Sequence, residues 1–136
     1  MIECVLRSPA MALLARIVLT FPFWASGLAK LFDFTGTVNE MALFGLYPPE
    51  AIGISVIVVQ LVGSALIILN RLTWLGAGAL GIFTALTIPL VHHFWSITDE
   101  PAKTIAFHTA MEHIGMIGGL LVVAVLAAES RRMDAT

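Results

Sequence analysis

The sequence predicts an all-α fold: a bundle of four transmembrane helices with a short interfacial helix between spans one and two. Three observations carry this. Of 136 residues, 59% are hydrophobic, and the mean hydropathy is +0.96. Only 12% are charged, about half the share usual in soluble domains. The apolar residues gather into four runs, each near the roughly 20 residues a helix needs to cross a bilayer. A soluble fold of this size could not hide so much apolar surface, so one small membrane domain in a lipid bilayer is expected. The net charge of −2 gives no basic field, and without a basic stripe no nucleic-acid partner is expected.

Cys4 is the one cysteine. Alone it makes neither an internal disulfide nor a Cys-x-x-Cys centre, so thiol chemistry carried by this chain is not expected. Arg7, an apolar run and Ala25-Ser26-Gly27 imitate a signal peptide. The run is too long for one, and three more follow, so a retained span is expected at residues 10–32. Arg16 falls about 9 Å inside that span. It either snorkels to the headgroups or serves as a buried partner for Glu112 or an anion. Lys30, at the far end, reads as a snorkelling residue.

Residues 33–49 form a connection. Thr37-Val38-Asn39-Glu40 has the capping-box pattern and precedes Met41, Ala42, Leu43 and Phe44, with Gly45 as a stop. The expectation is a two-turn helix on the membrane surface or over the mouth of the bundle. Tyr47-Pro48-Pro49-Glu50 then imposes an extended step and restarts the helix. The second span, residues 51–70, is uncharged, with Gln60 near its middle. A buried amide there bonds a neighbouring helix or a ligand.

Asn70-Arg71 begins a turn too short for anything but an antiparallel neighbour. The third span is expected at residues 73–95. Gly76-Ala77-Gly78-Ala79-Leu80-Gly81 matches G-x-G-x-x-G literally. No strand precedes it, so its glycines read as a smooth packing face, as do Gly115 and Gly119. Pro89 should kink the helix just before His92 and His93, and Phe94 and Trp95 mark the interface. A polar connection leads to the fourth span, residues 104–128, and a polar tail.

Four spans place both termini on one side. That side carries Arg7, Arg71, Arg131 and Arg132, and the other only Lys30 and Lys103. The positive-inside rule then expects both termini in the cytoplasm.

The fourth span contains Phe107-His-Thr-Ala-Met-Glu-His113. His108 and Glu112 share a helix face at i and i+4, and His113 lies about 100° further round. Ionisable groups in a span cost several kcal/mol unless partnered or wetted, roughly, and mark candidate sites. With antiparallel neighbours, His92 or His93 is expected to face His108, with Glu112 a turn deeper. Three readings stand. His93, His108 and Glu112 are a usable set for zinc or iron, although H-x-x-x-E-H is not the zincin spacing. Alternatively, His108, Glu112, His93 and Arg16 handle protons beside a quinone contacted by His92, Trp95, Lys30 and Gln60. The third reading is structural, with wetted histidines and a paired or neutral Glu112. A bis-histidine haem fits poorly, because the histidines crowd one end of one helix pair.

Ala15-Arg16, Trp24-x-Ser26-Gly27-x-x-Lys30-Leu31, Gly45-Leu46-x-Pro48, Val62-Gly63, His93-x-Trp95 and Gly118-Gly119-Leu120-Leu121 resemble the DoxX family of small bacterial membrane proteins. The resemblance implies a four-helix, multi-pass inner-membrane bundle. It also implies functional positions at Arg16, Lys30 and His92-His93; Gln60 stands where the family often carries an acid. Some members are tied to thiosulfate:quinone oxidoreduction, others to membrane oxidoreductase complexes in redox defence, and many have no known activity. The leading expectation is a quinone-linked membrane subunit working with a separate catalytic protein or as a homo-oligomer. The alternatives are a non-catalytic anchor or assembly protein, and a small transporter or proton path.

Overall fold

A computed structural model describes residues 2–134. A short helix α1, Ile2–Leu6, precedes the first long helix, α2, Pro9–Phe32. Ser8 starts α2 by accepting from the Met11 N–H at 3.2 Å, and Pro9 occupies the first turn, where no N–H is needed. Helix α3, Phe34–Leu43, follows after one residue, then α4, Pro49–Ile68, α5, Thr73–Leu90, a 3-10 turn at Phe94–Ser96, and α6, Ala102–Asp134. Four stretches are long and apolar enough to cross a membrane: Pro9–Phe32, Pro49–Ile68, Thr73–Ser96 and Ala102–Met133.

The bundle packs in chain order. Helix α2 lies along α4, α4 along α5 and α5 along α6, while α2 and α6 meet over a much shorter stretch. The core is one cluster of Phe23, Ile67, Ala77, Leu80 and Leu120. Outside it, large apolar side chains such as Val18, Ile82 and Leu121 point outward, as lipid contact requires. Without a hydrophobic force between helices in lipid, association depends on close packing. Gly63 receives Leu80, and a Cβ on Gly76 would stand 2.7 Å from the Gly63 carbonyl oxygen. The turn between α4 and α5 works because Asn70 (φ 53) and Leu72 (φ 50) are both left-handed. The Asn70 side chain accepts from the Thr73 hydroxyl at 3.0 Å.

The expected elements differ from the observed ones in three places. The Thr37–Glu40 pattern is not a helix start: α3 begins at Phe34, because Asp33 accepts from the Gly36 N–H at 2.9 Å and takes the capping role first. Thr37 is buried inside the helix and donates to the Lys30 and Asp33 carbonyls. Pro89 does not kink a longer helix; α5 stops at Leu90. Val91 makes the last ordinary i−4 bond, to the Thr87 carbonyl, and His92 shares that acceptor from i−5, after which the histidines sit in irregular chain. The glycine face is also narrower than expected. Gly76 packs, but a Cβ on Gly78, Gly81 or Gly115 would meet nothing within 4 Å.

Candidate functional site

The end of the bundle that carries Lys30 contains a cavity of about 640 Å3, the size of a small-molecule site. Every helix from α2 to α6 lines it. Its walls are mainly apolar, from Phe23, Met41, Phe44, Val56, Phe83 and Met116 among others. Polar groups interrupt the walls at defined places. Lys30 of α2 forms an ion pair with Glu40 of α3, which fixes α3 across one end. Gln60 of α4 is 4% exposed and donates its amide to Ser26 Oγ at 3.3 Å. Thr84 and Thr87 of α5 line another wall, and both hydroxyls donate to backbone carbonyls of their own helix. His92, Glu112 and His113 complete the lining.

The break after α5 matters here. It lets His92 leave the helix direction and turn onto α6, where its ring meets His113 edge to face at a centroid distance of 5.0 Å. The expected partner, His108, is not there. Helix α6 buries Ala106 and Ala110, and His113 continues that seam one helical turn further on. His108 lies halfway between the two alanines, on the opposite face, where it is exposed with its ring 5.5 Å from that of Phe107.

Four of the candidate residues therefore line the cavity: Lys30, Gln60, His92 and Glu112. Four do not. Besides His108, His93 points away and holds Ser96 Oγ through Nδ1 at 2.6 Å. Trp95 is exposed beside Phe94. Arg16 sits near the opposite end. Leu19 abuts Gly119, and counting outward from that crossing puts Arg16 and Glu112 roughly 15 Å apart along the bundle. The expected Arg16–Glu112 pair cannot form; among the described residues the Arg16 guanidinium and the Glu112 carboxylate each make no hydrogen bond or ion pair. The His93, His108 and Glu112 metal set is not assembled either, since only Glu112 reaches the cavity. Among the described residues no three His, Cys, Asp or Glu side chains are grouped to hold a metal.

Sequence reasoning missed Glu40, which it treated as a capping residue, and gave His113 no role. The second was legible: Ala106, Ala110 and His113 follow the i, i+4, i+7 spacing of one helix face. The Lys30–Glu40 pair was not, because it depends on α3 folding back onto α2.

Four apolar spans around a cavity of ligand size define a multi-pass helical membrane protein. The chain belongs to the DoxX family, whose profile matches residues 11–93 and stops short of α6. It is 26% identical over 126 residues to the Inner membrane protein YphA of Escherichia coli (strain K12), covering 93% of this chain and 89% of that protein. No solved structure matches it significantly.

Proposed function

We propose that the chain is a quinone-binding subunit of a bacterial inner-membrane oxidoreductase, with both termini in the cytoplasm and the cavity toward the outer face. The observation that carries this is the cavity: apolar walls interrupted by a few hydrogen-bonding groups at membrane depth. A quinone needs that combination, an apolar slot for ring and tail and polar partners at the ring oxygens. Helices α2 and α6 meet over a short stretch, which suits a ligand arriving from the lipid between them. His92, His113 and Glu112 on one wall supply groups that exchange protons, which reduction or oxidation of a quinone requires. The inner-membrane setting agrees with the printed name of the Escherichia coli relative. Orientation rests on the arginines of the terminal side.

The test is binding. Purified from native membranes, the protein should carry a quinone in near-stoichiometric amount, and a Thr87→Trp change that fills the cavity should abolish it. Protein that carries no quinone and takes up no added short-chain benzoquinone overturns the reading and leaves an anchor.

A further inference from the structure

Charge is distributed unevenly in the cavity wall. The lining carries Lys30, Glu40 and Glu112, with His92 and His113 beside them. Lys30 and Glu40 hold each other in an ion pair. Among the described residues Glu112 stands in no ion pair, with Lys30 or with either histidine. The pairing of Lys30 with Glu40 therefore leaves the chamber one carboxylate in excess. That carboxylate is deep. Ser26 lies seven residues beyond Leu19 and Glu112 seven before Gly119, on helices that run in opposite directions, so Glu112 stands about level with Ser26. Lys30 is a full helical turn further out.

A carboxylate at that depth is costly unless a proton or a counter-charge joins it. A hard divalent cation is a poor match, because it needs several oxygen ligands and among the described residues no three metal-ligating side chains are grouped. A neutral quinone leaves the charge uncompensated. An organic cation whose charge is shielded by apolar substituents meets the site better. It is weakly hydrated, so it dissolves in lipid and can arrive between α2 and α6, which meet over a short stretch. The walls suit it as well. Phe23, Phe44 and Phe83 line the chamber, the first and last with ring centroids 6.5 Å apart, and aromatic rings attract cations most strongly where water is excluded. The volume of about 640 Å3 is that of a site for a drug-sized ligand.

We propose that the chamber is also a binding site for lipophilic organic cations, quaternary phosphonium or ammonium ions with aromatic or alkyl substituents. Glu112 is the counter-charge, and Phe23, Phe44 and Phe83 are the walls. This goes beyond the quinone reading and does not depend on it, because the unpaired carboxylate and the aromatic lining are present whichever neutral ligand the chamber holds. An anion of the same shape meets the same walls but the wrong charge, so the sign of the ligand decides affinity.

The experiment uses the full chain in nanodiscs of zwitterionic phosphatidylcholine, titrated by calorimetry with uptake by empty discs subtracted. Two probes are compared: tetraphenylphosphonium, and tetraphenylborate, which has the same phenyl groups and the opposite charge. The cation should bind in about equimolar amount and about tenfold or more tighter than the anion. Glu112→Gln should bring the two within about threefold, and Thr87→Trp, which fills the cavity, should abolish cation binding. Equal binding of the two ions, tighter binding of the anion, a preference that survives Glu112→Gln, or cation binding untouched by Thr87→Trp overturns the inference. Should either variant fail to fold, the wild-type comparison and the other variant decide. Protein that carries quinone without preferring the cation loses this inference alone. Protein that binds the cation but no quinone loses only the quinone reading.

Discussion

Glu112 is an acid in a membrane span that this chain leaves without a hydrogen bond or ion pair among the described residues. Its mutants therefore separate stability from function. Removing one partner of a buried ion pair strands the other, but among the described residues Glu112 stands in no ion pair. Glu112→Leu should leave the melting temperature in detergent unchanged within a degree or two, roughly. Glu112→Gln should also fold, yet lower quinone-linked turnover by about tenfold or more, because the amide carries no exchangeable acid proton. Turnover at the wild-type level in Glu112→Gln would remove this carboxylate from proton handling. Gly76 gives the opposite case. A Cβ there collides with backbone, not with a pliable side chain, so Gly76→Val should destabilise by about 1–3 kcal/mol. Gly78→Ala faces open space and should melt as the parent does. The sequence predicted a glycine face, yet could not separate Gly76 from Gly78. The distinction depends on which side of α5 meets α4, and an apolar helix in lipid has no hydrophobic side to reveal it.

The same loss of phase explains the histidines. In a soluble helix, polar residues mark the outside and give the rotation; here both faces of α6 are apolar. Small size was the surviving clue, and Ala106 and Ala110 point to His113 over His108. At the element scale, the four spans were legible because length and hydropathy are local properties. The choice for α3 between the membrane surface and the mouth of the bundle was not, because it is set by a tertiary ion pair and by the buried Thr37 hydroxyl. That dependence is testable. Glu40→Gln removes the charge that holds α3 to Lys30 while leaving Asp33 to cap the helix. Backbone amide exchange over Phe34–Leu43 should rise, by about tenfold, with α4 unchanged. Equal protection in both proteins would show that apolar contacts of Met41 and its neighbours suffice.

For the whole molecule, four spans place both termini on one side, and the arginine count predicts that side to be the cytoplasm. A reporter fused after Thr136 should be active only in its cytoplasmic form. One inserted between Asp99 and Lys103 should be active only outside. The reverse pattern would place the cavity at the cytoplasmic face and change where a catalytic partner must dock. That partner would meet little extramembrane chain in the connections, but it would meet the end of α6.

That last helix runs without interruption for 33 residues, about 50 Å, where roughly 20 residues suffice to span hydrocarbon. It packs along α5 and touches α2 at Gly119 against Leu19. Counting from that crossing, Pro9 at the start of α2 stands about 15 Å away and Arg132 about 20 Å away on the same side. The surplus length therefore carries Arg131 and Arg132 past the start of α2 on one unbroken helix.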